Sequence, residues 1–250
     1  YVRAMTSPIR AVIFDWGGTL TPWHDINLFS QWYAYAEFYD PADASGLAQR
    51  LLDAELDRWR VLRETKGAES TRALDAMFVG LGIDVTSALH LRALGNYLDF
   101  WAPHTIADPE AAPLLNELRA MGLKIGVLSN TMWPRAHHQE VFMRDDLIDL
   151  IDAAAYTSEM PVAKPHEEAF RTIAGSLGVE PAECVFVGDR LWDDIHGAQQ
   201  AGMRAILIPH SNLPAVQVPD NSAVPDAVAH RLGEVLTIVK AWREDGPSRA

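Results

Sequence analysis

The stretch Ala11-Val12-Ile13-Phe14-Asp15-Trp16-Gly17-Gly18-Thr19 joins a short run of β-forming apolar residues to an acidic residue and two glycines. It reads as a buried strand that stops abruptly in a turn. Similar endings recur down the chain. Lys124-Ile125-Gly126-Val127-Leu128 stops at Ser129-Asn130-Thr131, and Val185-Phe186-Val187 stops at Gly188-Asp189. Ala205-Ile206-Leu207-Ile208 makes a fourth strand. Helical stretches alternate with these strands: Ala111 to Met121, His166 to Leu177 and Ile195 to Ala201, each closed by a glycine, and a last one from about Leu232 to Trp242. A glycine just past a helix supplies the left-handed residue that ends it. Strands alternating with helices imply a parallel sheet covered on both faces. In such sheets a ligand sits beyond the carboxyl ends of the strands. Asp15, Ser129 and Asp189 all stand there.

From about Asp25 to Ala102 the pattern changes. Leu47, Leu51, Ala54, Leu56 and Trp59 recur at helical spacing, as do Leu74, Met77, Phe78 and Leu81, with Pro103 closing the run. About four helices with no convincing strand are expected. The fold class is therefore α/β: a Rossmann-like parallel-sheet core with helices on both faces, residues 1–21 and 105–250, plus a small all-helical domain, residues 22–104. Asn212 to Pro225, with three prolines, is expected to form a loop.

The chain of 250 residues is 48% hydrophobic and 22% charged, ample for a full core. Its 34 acidic against 21 basic residues give a net charge of −13. Such a chain is repelled by phosphate backbones and anionic lipid, so neither nucleic acid nor membrane is an expected partner. A small anionic substrate is still compatible, because a metal ion and a few aimed donors reverse the field locally. The one cysteine, Cys184, excludes an intramolecular disulfide and lies in an apolar run, as a buried structural thiol does. No apolar stretch is long enough to span a bilayer, and the first residues lack an apolar signal core, so the expected location is cytoplasmic.

An aspartate after a strand is often only a turn residue or cap. Here a second one, Asp189, follows another buried strand, with Asp193 and Asp194 close behind. Carboxylates converging on one edge repel unless a cation holds them. An all-oxygen set suits Mg2+. Lys164, in Val162-Ala163-Lys164-Pro165, supplies a positive group to neutralise a nucleophile and an incoming anion. Ser129 with Asn130 offers a hydroxyl and backbone amides for phosphate oxygens.

In this order the segments resemble those of the haloacid dehalogenase (HAD) superfamily. Asp15-Trp16-Gly17-Gly18-Thr19 is similar to its first motif, Ser129 to its second, Lys164-Pro165 to its third and Gly188-Asp189-Arg190-Leu191-Trp192-Asp193-Asp194 to its fourth. The resemblance runs from about Ile9 to Leu236, and the helical segment sits where that family inserts its helical (C1-type) cap. It implies a Mg2+-dependent phosphomonoesterase acting on a small phosphorylated metabolite, such as a sugar phosphate, through an aspartyl-phosphate on Asp15. Asp15, the Gly17 carbonyl and Asp189 would hold the metal. Asp194 or Asp193 would support the metal waters or orient Lys164. Thr19, Ser129, Asn130 and Lys164 would bind substrate.

One position departs from that pattern. Phosphatases of the family carry a second aspartate two residues after the nucleophile, as general acid and base, where this chain has Gly17. Such catalysis contributes on the order of 10²–10⁴-fold. His24 and Asp25 are candidate substitutes. Three alternatives follow: a 2-haloacid dehalogenase-type carbon–halogen hydrolase, whose halide leaves without a proton; a phosphonate-cleaving enzyme; and a non-catalytic phosphate-binding relative. Phosphonate cleavage needs a cap lysine, and Glu64-Thr65-Lys66-Gly67, with the only lysine there, does not resemble the required motif.

Trp16, Trp23, Trp32, Trp59 and Trp101, with several tyrosines, lie in or beside the helical segment. Most are expected to build its core, while Trp16 and Trp23, flanking the nucleophile, are expected to line the entrance to the site. Arg58, Arg60 and Arg63 are expected on the surface, as are the adjacent His137 and His138. Exposed aromatics in the helical segment are compatible with a homodimer.

Overall fold

A computed structural model describes residues 8–22, 24, 26–209 and 223–244. Trp23, Asp25 and most of the expected 212–225 loop lie outside the described residues. Six parallel strands form one sheet in the order β3-β2-β1-β4-β5-β6: β1 Ala11–Phe14, β2 Lys124–Ser129, β3 Ala153–Tyr156, β4 Cys184–Gly188, β5 Arg204–Leu207 and β6 Ala227–Val228. Phe14 stands level with Val127 of β2 and Val187 of β4. The residues leaving these three central strands therefore emerge together along one edge.

Side chains alternate across each strand, and the core divides accordingly. Val12, Phe14, Val127 and Val187 face a cluster shared with α5 (Ala111–Ala120), α6 (Arg135–Arg144) and α9 (Glu234–Glu244). Ala11, Ile13 and Phe186 face the opposite cluster, built on α7 (Glu167–Ser176) and α8 (Gly197–Ala201). Both faces are dry, which is why the strands read as continuous apolar runs.

Four helices lie between β1 and β2: α1 Leu28–Tyr39, α2 Ala44–Glu64, α3 Leu74–Gly80 and α4 Ala88–Trp101. Side-chain oxygens of Asn27 and Ser87 accept backbone N–H groups at the starts of α1 and α4. Trp32, Tyr35, Phe78 and Ala93 are fully buried where these helices meet. Trp32 stacks on Tyr97 at 4.7 Å and Tyr35 on Phe78 at 4.8 Å. The segment between α2 and α3 is tied to the sheet end: Ala163 N donates to Gly67 O, Leu74 N to Met132 O (both 2.8 Å) and Thr71 Oγ1 to Thr131 O (2.5 Å). Among the described residues no helix is long and apolar enough to cross a membrane.

Three sequence expectations need correction. β3 and β6 carry too little signal to be read as strands: one is Ala-Ala-Ala-Tyr and the other only two residues. His137 and His138 lie on α6, and His138 is completely buried. It stacks on Tyr156 at 4.3 Å, meets Trp16 edge-on at 4.7 Å and shares a hydrogen bond with Thr131 Oγ1 through Nε2. The expected helix Ile195 to Ala201 begins earlier, as a wide turn over Leu191–His196 that runs into α8.

Candidate active site

Asp15 leaves β1 with its backbone N–H donating to Val187 O at 2.9 Å, so the neighbouring strand fixes its position. The loop after it folds around the Trp16 carbonyl, which accepts from Thr19 N, Thr21 N and Thr21 Oγ1. Lys164 approaches from the loop before α7, almost fully buried. Its Nζ lies 2.8 Å from Asp15 Oδ1 and 2.6 Å from Asp194 Oδ1. Burial alone pulls an ammonium pKa down, but Asp15 and Asp194 more than offset it, and the Lys164 pKa is raised. Asn130 clasps the Lys164 backbone from both sides, donating to its carbonyl at 3.0 Å and accepting from its N–H at 2.9 Å.

Asp194 is engaged at both oxygens. Oδ1 meets Lys164, and Oδ2 accepts from Asp189 N at 3.1 Å and Arg190 N at 2.9 Å. It thereby ties the end of β4 to the lysine. Asp189 contrasts with it. Its carboxylate is buried, neither oxygen accepts a hydrogen bond, and its ion pair to Arg190 Nε is long, at 4.0 Å. Burial, opposed by Arg190 and reinforced by Asp194 and Asp15, pushes the Asp189 pKa well up. Such a group is costly unless something fills its coordination. Gly18 lets it come close: with φ +87°, a Cβ there would stand 2.7 Å from Asp189 Oδ2. Asp15, Asp189 and Asp194 offer oxygens within 4.8 Å of one another, a donor set that fits a hard divalent cation.

These groups open onto a cavity of about 170 Å³. One end is lined by Asp15, Gly17, Ser129, Lys164, Arg190 and Asp193. Leu28, Glu55, Trp59, Tyr97, Trp101 and Trp133 line the other. Trp133 joins the two ends, 5.5 Å from Trp16 and 5.3 Å from Trp101 between ring centroids, with Nε1 donating to Tyr97 Oη at 3.0 Å.

The sequence candidates divide under this geometry. Asp15, Trp16, Gly17, Ser129, Asn130 and Lys164 line the cavity, with Asp189 and Asp194 packed beneath. Asn130 spends its amide on Lys164. Thr19 does not line the cavity: its hydroxyl is buried, without a hydrogen-bond partner, beside a separate pocket near Asp108 and Arg231. His24 does not line it either. Its Nδ1 sits 2.9 Å from Nδ1 of half-buried His104. Arg58 is half-buried, capping the Thr71 and Ala73 carbonyls, while Arg60 pairs with Asp57 and Glu64 on the surface. Glu55, Tyr97 and Trp133 escaped sequence reasoning as site residues. Glu55 carried the one usable signal, a carboxylate among the apolar positions of α2.

A family model described as haloacid dehalogenase-like hydrolase matches residues 9–202. Glyceraldehyde 3-phosphate phosphatase of Methanopyrus kandleri is 29% identical over 95% of this chain and 100% of its own length. The protein of that name in Methanocaldococcus jannaschii is 31% identical over 57% of this chain and 58% of its own. Among solved structures, a HAD phosphatase from Thermococcus onnurineus aligns with TM-score 0.66 at 22% identity, covering 92% of this chain and 98% of that one. The L-2-haloacid dehalogenase of Xanthobacter autotrophicus aligns with TM-score 0.60 at 25% identity, covering 93% and 98%. The matched family span takes in Asp15, Lys164, Asp189 and Asp194, and the chain belongs to the haloacid dehalogenase-like hydrolases.

Proposed function

We propose that the chain is a Mg2+-dependent phosphomonoesterase acting on a small phosphorylated metabolite, with Asp15 as nucleophile. The observation that carries this is Asp189: a buried carboxylate whose two oxygens accept no hydrogen bond and whose ion pair to Arg190 is long, at 4.0 Å, beside a second and a third carboxylate, where a divalent ion fits. Carbon–halogen hydrolysis on Asp15 has no use for such a group. Asp15, the Gly17 carbonyl and Asp189 would hold the ion, which would draw charge from the phosphoryl oxygens when bound.

The chain's own residues do the rest. Lys164, fixed by Asp15 and Asp194, faces the phosphoryl group with its charge preserved. Ser129 offers its hydroxyl, and Arg190 a second cation at the same end. An Asp15 oxygen attacks phosphorus, the bond to the ester oxygen breaks, and the alcohol departs with a proton from solvent. Water then attacks the aspartyl-phosphate, releasing phosphate and the free carboxylate. Stabilisation is chiefly electrostatic. Helices α1–α4 would serve as the cap that roofs the site, the domain boundaries being residues 22–104 within a core of 1–21 and 105–250. The cavity, about 170 Å³, is below the roughly 300–1,000 Å³ of drug-sized sites, which suits a small substrate.

Phosphate release from p-nitrophenyl phosphate and a panel of metabolite phosphates, with and without Mg2+, tests this. Release should require the metal and fall by roughly 10⁴-fold or more in Asp15→Asn. Absence of release, with halide freed from 2-haloacids instead, would hand the site to the dehalogenase chemistry that Gly17 also permits.

A further inference from the structure

The two ends of the cavity differ in how their charges are paired. The sheet end presents Lys164 and Arg190, each paired with carboxylates, a set suited to a phosphoryl group held together with a divalent ion. The far end presents the carboxylate of Glu55 in an aromatic surround. Glu55 is buried in the middle of α2. Its Oε2 accepts from Gln31 Nε2 and Trp32 Nε1, both at 2.7 Å, and its Oε1 from Trp59 Nε1 at 3.4 Å. Gln31 is fixed in turn by Trp101 Nε1, 2.9 Å from its Oε1. All these partners are donors, as a carboxylate requires. All are neutral, and no ion pair to Glu55 occurs among the described residues.

A buried carboxylate without a counter-ion is an expensive way to pack a helix, since leucine or glutamine would fill the place at less cost. Burial accordingly raises the Glu55 pKa, with the three hydrogen bonds opposing it. Around it Trp59, Tyr97 and Trp101 line the same space. Aromatic faces attract cations, and aromatic walls with a carboxylate are suited to organic ammonium ions. The edge-on chain Trp16–Trp133–Trp101 runs from the nucleophile to this end, giving an apolar passage between the two charged poles.

We propose that the substrate is a zwitterion, a phosphate monoester whose alcohol carries an organic ammonium group, seated against Glu55 between Trp59, Tyr97 and Trp101. The phosphate end of this assignment rests on the phosphomonoesterase function above; the ammonium end does not. Neutral sugar phosphates lack the cation and would leave Glu55 without a counter-ion.

Binding separates the two. The full chain is titrated with choline and with 3,3-dimethyl-1-butanol, which matches it in shape without the charge, following tryptophan fluorescence and calorimetry. Choline should bind at least tenfold tighter than the alcohol. Glu55→Gln should erase that difference, and Trp59→Leu should weaken choline more than the alcohol. Ethanolamine, measured in parallel, distinguishes a primary from a methylated ammonium. The proposal is overturned if neither cation binds better than the neutral alcohol, or if the preference survives in Glu55→Gln. Should that variant not fold, the wild-type comparison decides alone. Phosphate release from phosphocholine, phosphoethanolamine and 3,3-dimethylbutyl phosphate is then compared. A cation preference in binding without hydrolysis of any ester would remove the phosphatase function and leave the ammonium site. Equal hydrolysis of charged and neutral esters, with no binding preference, would do the reverse.

Discussion

The sheet end and the helical end of the cavity are built on opposite principles. At the sheet end, charges lie in a fixed network: Lys164 between Asp15 and Asp194, and Asp194 bonded to the backbone of Asp189 and Arg190. Each member follows a strand or precedes a helix, so local sequence places it. At the helical end, one carboxylate and a set of large rings come from α2, α4 and the loop after β2, brought together only by tertiary packing. The sheet end is thus held by short-range geometry, while the helical end of the cavity is assembled from scattered positions.

The largest expected effect breaks this symmetry in stability. Asp194→Asn leaves the Lys164 ammonium with a weakened partner in a dry site, which should cost about 3–5 kcal/mol, the range for a broken buried pair. Trp59→Leu, at the half-exposed helical end, should cost roughly 1 kcal/mol. Urea unfolding of both variants checks the contrast; equal losses would mean that the two ends are held alike.

A smaller effect concerns His138, which lies beneath Trp16 where the two ends meet. Burial, with His137 and Arg135 adding to it, pushes its pKa down to about 3. An unfolded histidine titrates near 6.5, so between about pH 6.5 and 3 the unfolded chain binds more protons than the folded one. Stability should fall as pH falls through that window, with a limiting slope of about 1.4 kcal/mol per pH unit. Glu55 carries the opposite sign: with its pKa raised, its contribution is lost as pH climbs above the ordinary glutamate range. Guanidinium midpoints between pH 7.5 and 5 should drop more steeply in the wild type than in His138→Gln. Parallel lines would remove His138 from the account.

The smallest expected effect is a gain. A Cβ at Gly17 would meet nothing within 4 Å, so the space for a side chain already exists at the position where related phosphatases keep their acid. Gly17→Asp should raise hydrolysis of an alkyl phosphate by about tenfold, the low side of what general acids contribute, and leave an aryl phosphate nearly unchanged. No change for either ester would mean that another group already supplies the proton.

The same division explains how much could be read from the chain alone. Asp15, Ser129, Lys164, Asp189 and Asp194 were legible because strand ends and glycine turns mark their surroundings. The four helices of the insertion were legible from their 3.6-residue spacing. Glu55 was not, because a carboxylate in a helix is ordinarily a solvated one, and its partners Gln31, Trp32 and Trp59 become its neighbours only when α1 lies against α2. Thr19 and the candidate His24 lie off the cavity for a related reason: closeness to Asp15 in sequence does not turn a side chain toward it. His138 shows the reverse, a polar residue in an unpromising pair that the fold buries completely.

The position of α1–α4 between β1 and β2 has a consequence for the polymer. Closing a loop costs entropy that grows only with the logarithm of its length, about 0.6 kcal/mol for each doubling. Because these helices bury their own aromatic core, their ordering is largely supported from within. Exchanging the whole insertion for another self-packed one would disturb the sheet mainly at its tethers at Gly67, Thr71 and Leu74 and where Tyr97 and Trp101 meet Trp133. With the cap role proposed for these helices, a chimera carrying a foreign insertion should retain the hydrolytic end while changing what it accepts.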